Sequence, residues 1–255
     1  MDNGSKVLVL MGVILFAMFA GMSLTIYELK LKIKEMDSNV DAIEIAILET
    51  KVDQDGLATV MVNGLNQAQE QRVKSQEKIS ILEESVDSKD KRWATIKKVR
   101  TAIESTAYNP PPILELTSIA SAVVDYSDEY DVSTSLVLGI IRQESNFNRK
   151  AVSHATAQGL MQVMPQTAKE IAGDVGKRYY SLFNVKNNVQ FGVYYIRKML
   201  DTFDGDIELA IRAYNCGPTY VGRMQAGEYK NYPEETAQYL VSVLEWKAEY
   251  EKLGL

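Results

Sequence analysis

Gln143-Glu144-Ser145-Asn146-Phe147-Asn148, and then Ala157-Gln158-Gly159-Leu160-Met161-Gln162-Val163-Met164-Pro165-Gln166-Thr167-Ala168, decide how this chain reads. A helix-patterned apolar run, Leu136 to Ile141, precedes them and brings the carboxyl group of Glu144 to a helix end. A glycine-bearing turn and a second helix follow within one short stretch. An acid carried out of an apolar helix into a turn is a candidate general acid. Surroundings of low polarity disfavour its charged form and raise its pKa toward working pH. Carboxylic acids of that kind break glycosidic bonds.

Further motifs follow in order. Asn188 precedes Gly192-Val193-Tyr194-Tyr195, then come Ala213-Tyr214-Asn215 with Gly217-Pro218, and finally Glu235-Thr236 with Tyr239. Each alone is weak, because tyrosines on helices and buried methionines are usually packing residues. Four ordered motifs over residues 113 to 246 are specific. Together they resemble the catalytic core of the family 1 lytic transglycosylases, the soluble-lytic-transglycosylase-like domain related to goose-type lysozyme.

The resemblance implies an unusual economy of groups. Most glycosidases use two carboxyl groups, whereas this family works with one. By that likeness Glu144 protonates the glycosidic oxygen between MurNAc and GlcNAc of peptidoglycan. It then acts as base on the sugar's own C6 hydroxyl, which closes onto C1 and leaves a 1,6-anhydro end. An intramolecular nucleophile has a large proximity advantage, which makes a second carboxylate dispensable. The likeness assigns Ser145 as a hydroxyl partner beside the acid. It assigns Gly159, Leu160, Met161 and Gln162 to the Gly-Leu-Met-Gln segment, with Met161 lining the sugar cleft and Gln162 hydrogen-bonding substrate. Tyr214 and Tyr239 are expected to bring phenols to Glu144, and Asn215 to be a polar partner. Thr156-Ala157-Gln158 departs from the Gly-Ala common before that segment.

Composition narrows the alternatives. The net charge of −6 argues against a nucleic-acid partner, which requires a basic surface. One cysteine, Cys216, allows no intramolecular disulfide, and one histidine, His154, rules out a multi-histidine metal site. No metal and no cofactor are expected. Cys216 reads as a small buried side chain and His154 as a solvated loop residue, so a Cys–His hydrolase is set aside.

The amino-terminal part carries a different signal. Val7 to Ile26 is an uninterrupted apolar run of 20 residues. At about 1.5 Å per residue it spans roughly 30 Å, the thickness of a bilayer core. Residues 1–27 are therefore expected to be a single-pass transmembrane anchor. Lys30, Lys32 and Lys34 follow it and by the positive-inside count favour a cytoplasmic carboxyl terminus. A wall-cutting head needs the opposite topology. Residues 28–108 read as helix, with Ile33, Met36, Val40, Ile43 and Ile47 on a coiled-coil spacing. The pattern falters at Gly56 and Gly64 and resumes at Ile79, Leu82 and Val86. Such a stripe is expected to pair with a second copy in a homodimer, or to fold back as a hairpin near the glycines.

Residues 109–112, Asn-Pro-Pro-Pro, read as a stiff linker. Residues 113–255 then carry helical periodicity almost throughout. The expected architecture is all-α, or nearly so: a lysozyme-like transglycosylase domain preceded by a transmembrane helix and a coiled-coil stalk. Its expected partners are peptidoglycan glycan strands and a membrane, with the head on the periplasmic, wall-facing side, or else in a phage virion. Two other functions remain open. One is a lysozyme-type muramidase that uses Asp201, Asp204 or Asp206 as a second acid. The other is a non-catalytic wall-binding component of a phage virion or secretion apparatus.

Overall fold

A computed structural model describes residues 55–255, the first seven by their backbone alone, together with Glu28, Lys30, Leu31 and Lys34. The apolar run Val7–Ile26 and the seam from Ile33 to Ile47 lie outside the described residues. Among the described residues no helix is long and apolar enough to cross a membrane.

The described chain is helical: α1 (Asp55–Thr106), α2 (Ile113–Glu129), α3 (Thr134–Ser145), α4 (Pro165–Asp174), α5 (Val185–Thr202), α6 (Ile207–Cys216), α7 (Pro218–Gln225) and α8 (Glu234–Lys252). The only pairing of extended backbone among these residues is two isolated bridges, Val152 to Gln158 and Gln158 to Val163. The chain divides into two compact units, residues 1–91 and 92–255.

In the first unit α1 runs through Gly64 without a break, so a hairpin turn does not fall at that glycine. Val62, Val73 and Ile81 are exposed there, whereas Ile79 is buried. Lys30 pairs with Glu83 at 2.5 Å.

The second unit begins on the last turns of α1. Ile96, Val99 and Ile103 recur at helical spacing and are buried, placing one stripe of this helix in the core. Its polar side is tied as well: Arg92 donates to Asp125 and to Ser121 on α2, and Lys98 donates to the Gly254 carbonyl at 2.7 Å. α1 ends at Thr106, whose hydroxyl lies 2.8 Å from that of Tyr250.

The packing that positions the site is that of α3 on α8. Ser133 caps α3 by accepting from the Leu136 amide, and Leu136 to Ile141 are buried without exception. Gly139 permits close approach. A Cβ there would lie 2.9 Å from the Val243 carbonyl and 3.2 Å from the Lys247 amide, both on α8. α3 then stops abruptly, because Asn146 and Phe147 both take positive φ, 49° and 65°. Left-handed backbone costs a non-glycine residue about 1–2 kcal/mol. Burial of the Phe147 ring, 1% exposed, offsets that cost. α7 was not apparent in the sequence pattern. It is one short helix started by Pro218 immediately after Gly217, whose φ is 86°.

Candidate active site

Glu144 occupies the last turn of α3, and the reversal at Asn146 leaves its side chain half-buried at the end of an apolar helix. Tyr239 of α8 donates its hydroxyl to Glu144 Oε1 at 2.7 Å. Among the described residues Glu144 takes part in no ion pair. Burial pushes its pKa from the ordinary 4.5 up to about 7; the Tyr239 hydrogen bond opposes that shift, and the charge of Glu235 adds to it. The carboxyl group is thus poised near neutrality, where it can both give and take a proton.

The loop facing this acid is built on three anchors. Ser145 donates its hydroxyl to the Leu160 carbonyl at 2.7 Å. Tyr214 of α6 donates to the Met161 carbonyl at 2.8 Å. Asn188 of α5, 1% exposed, accepts from the Met161 amide at 2.8 Å and donates to the Gln158 and Leu182 carbonyls at 2.8 and 2.9 Å. One buried side chain thereby binds three backbone groups, two of them buried, which locks the loop. Gly159 is required there: its φ is 81°, and a Cβ would fall 2.3 Å from both the Asn188 amide nitrogen and the Leu182 carbonyl.

Burial holds the phenols of Tyr214 and Tyr239 protonated, well above their usual range, and the charge of Glu144 pushes both further. Both hydroxyls therefore serve as donors. Tyr195 meets the Tyr214 ring edge-on at 5.3 Å. Beyond Tyr214 opens a cavity of about 230 Å³, lined by Gln162, Val163, Met164, Thr167, Tyr195, Tyr214, Asn215 and Gly217. Asn215 accepts from Thr236 at 2.8 Å, which leaves its amide nitrogen for other partners.

Several expectations need revision. Met161 does not line the cleft, for it is fully buried, and a Cβ on Gly192 would fall 2.3 Å from its sulfur. The lining methionine is Met164, 39% exposed. Leu160 is likewise a core residue, contributing only its carbonyl. Gln162 lines the cavity, yet its amide nitrogen is spent on the Gly159 and Ala151 carbonyls. The structure brings none of the three aspartates forward as a second acid. Asp201 pairs with Arg197, Asp206 caps α6, and Asp204 lies in the intervening turn at φ 53°. The second carboxylate whose charge reaches Glu144 is Glu235, one turn before Tyr239. Asn188 and Tyr195 stood in quoted motifs, but nothing in their spacing revealed a loop clamp or a cavity wall. Among the described residues no cluster of three His, Cys, Asp or Glu side chains could hold a metal ion. His154 is exposed.

With this geometry in view, comparison with known proteins is informative. Residues 121–236 match the transglycosylase SLT domain family. That stretch is similar to transglycosylase SLT domains. Related to it is the membrane-bound lytic murein transglycosylase C of Histophilus somni, 39% identical over 109 residues, 37% of this chain and 30% of that protein. The protein of the same name from Haemophilus influenzae is 34% identical over 139 residues, 46% of this chain and 38% of the relative. The match thus spans about a third of the length of those curated relatives. Among solved structures, the 70 kDa soluble lytic transglycosylase of Escherichia coli superposes with a TM-score of 0.48 and 25% identity, covering 54% of this chain and 28% of that one. The lytic transglycosylase Slt of Pseudomonas aeruginosa gives 0.49 and 22%, covering 84% and 37%. The SLT match begins within α2 and ends at Thr236, so it contains Glu144, the Asn188-clamped loop and Tyr214. Tyr239 lies three residues beyond it.

Proposed function

We propose that the SLT domain is a peptidoglycan lytic transglycosylase that works with Glu144 as its single acid and base. The observation that carries this reading is a carboxyl group at the end of an apolar helix, held by one phenol at 2.7 Å and, among the described residues, paired with no cation; burial there raises its pKa toward neutrality. In the first step neutral Glu144 gives its proton to the oxygen of the MurNAc-β-1,4-GlcNAc bond as the C1–O bond breaks. The charge that develops on the carboxylate is supported by the Tyr239 hydroxyl. In the second step the carboxylate takes the proton of the MurNAc C6 hydroxyl while its oxygen bonds to C1. A 1,6-anhydro end results, Glu144 is neutral again, and no water is consumed.

The other residues serve that chemistry in distinct ways. Tyr239 and Ser145 are positioning residues, one holding the carboxyl group and the other tying the acid's helix to the Gly159–Gln162 loop. Tyr214, Asn215 and Gln162 line the cavity that receives a sugar, with Tyr214 also bracing the loop through Met161. Gly159 and Leu160 shape the loop rather than touch substrate.

The apolar run Val7–Ile26 is proposed as a membrane anchor, and the helical stretch after it as a spacer able to pair with a second copy, holding the domain toward the wall. Protease accessibility of the SLT domain in spheroplasts tests the topology, since protection would contradict a periplasmic head.

The enzymatic test incubates the protein and its Glu144→Gln variant with purified peptidoglycan and reads released muropeptides by mass spectrometry. Products one water lighter, ending in 1,6-anhydro-muramic acid, and their loss in the variant, are expected. Reducing ends of ordinary mass would identify a hydrolase, with Glu235 the first carboxylate to replace. Retained wall binding without release would leave a binding module.

A further inference from the structure

The segment that follows the cavity-lining residues Asn215 and Gly217 in the chain carries a feature that the chemistry at Glu144 does not use. Tyr220, in the first turn of α7, stacks on Tyr229 with ring centroids 4.8 Å apart and planes 16° from parallel. On its other side Tyr220 meets Tyr232 at 6.3 Å. The Arg212 guanidinium lies 4.4 Å over the Tyr232 ring. The hydroxyls are fixed too: Arg223 donates to that of Tyr229 at 3.1 Å, and Tyr220 donates to the Asn231 carbonyl at 3.4 Å. The row Arg212–Tyr232–Tyr220–Tyr229 is therefore pre-ordered, and Tyr229 at its end still shows 37% of its surface to solvent.

Packing alone does not account for this arrangement. A ring needed only for the core is buried, as Tyr250 is at 0% exposed. Tyr229 instead lies on a connecting segment, held rigid through both its ring and its hydroxyl while staying accessible. Its place is equally telling. Gly217, which lines the cavity, opens α7 three residues before Tyr220, and Asn215 lines the same cavity at the end of α6. Cys216 lies between them in the chain, packed with Tyr195 and Tyr232 against the same core. The row is thus joined to the cavity wall through one short piece of chain, Gly217 to Tyr220.

We propose that Tyr229, stacked on Tyr220, is an additional glycan-binding subsite that receives the apolar face of an N-acetylhexosamine ring one or more residues away from the bond being cut. A fixed aromatic face loses little entropy when a sugar lies against it. Saccharide rings present just such a flat C–H face. The subsite grips long strands without touching the reacting atoms, and it rests on the proposed action of this domain on peptidoglycan.

The test uses the full chain in the Glu144→Gln background, with N-acetylglucosamine trimer and hexamer as probes, and binding is read by calorimetry. Tyr229→Ala is expected to weaken the hexamer about five- to tenfold, the size of one aromatic stacking contact, and to leave the trimer within twofold. Tyr229→Phe keeps the ring and should retain hexamer affinity. In the active protein, Tyr229→Ala should raise KM on long glycan strands with kcat unchanged. If it leaves the hexamer unchanged while the parent binds and cleaves, this subsite is refuted and the function stands. These probes contain no peptide, so a platform for stem peptides would give that same negative result. Equal loss of trimer and hexamer would also refute it, since the ring would then belong to the central cavity. A parent that neither binds oligosaccharide nor cleaves peptidoglycan would sink the function and this subsite together.

Discussion

Glu144 and Glu115 are both glutamates at helix ends, and the protein treats them oppositely. Glu115, in the first turn of α2, accepts from Arg149 Nε at 2.9 Å, a partly exposed pair of the usual surface kind. Asp125 with Arg92 and Asp201 with Arg197 repeat the arrangement around the domain. Glu144 instead receives a neutral phenol inside an apolar frame and gains the charge of Glu235 nearby. A cation stabilises the carboxylate and makes it chemically inert. A phenol with burial leaves both protonation states within reach. The difference is one of partner, not of residue type.

The sharpest way to test this contrast is Glu144→Gln. Loss of a general acid should cost on the order of 10³-fold in peptidoglycan release. Stability should move the other way. The pKa of Glu144 is raised on folding from 4.5 to about 7, so its favourable contribution is fully present below pH 4.5 and is lost as pH rises through 7. Replacing it with an uncharged amide should leave thermal stability at pH 4 unchanged and raise it at pH 8, by at most about 3 kcal/mol. Calorimetric melts at both pH values check this, and a gain confined to pH 4 would contradict the burial argument.

Asn188→Ala attacks the frame rather than the acid. It strands the Met161 amide and the Leu182 carbonyl, while the Gln158 carbonyl keeps the Val163 amide, and should cost about 3 kcal/mol, on the order of 10 °C in Tm. Next come two substitutions of opposite sign, read on the pH profile of kcat/KM. Tyr239→Phe removes a bond that lowers the Glu144 pKa, so the alkaline limb should move to higher pH, with roughly tenfold loss of rate from a less fixed acid. Glu235→Gln removes a charge that raises it, and the same limb should move to lower pH. Shifts of the same sign in both would show that the pKa is not set this way. The smallest effect belongs to the surface pair: Arg149→Ala should change stability by about 1 kcal/mol or less and leave the pH profile in place.

The helical character of residues 113–255 was legible because apolar residues recur at the helical period, and because Ser133 is a capping residue type before the second helix. Glu144 was legible for a related reason, an apolar run ending in an acid. α7 escaped because eight residues with one buried side chain, Val221, carry too little pattern. Met161 was taken for the lining methionine in place of Met164 because both are apolar and only packing says which one faces Gly192.

What the sequence determined by itself was the local part: helix periods, caps, the glycine at Gly159, and a chain of motifs bearing one acid and two phenols. Those follow from backbone preference and side-chain chemistry, which act over a few residues. Only the tertiary structure decided that Tyr239 rather than Tyr214 bonds the carboxyl group, that Asn188 clamps the loop, and that Glu235 is the carboxylate whose charge Glu144 feels. These depend on how closely α3 and α8 approach across Gly139 and on what burial does to a charge, and neither is encoded at any single position.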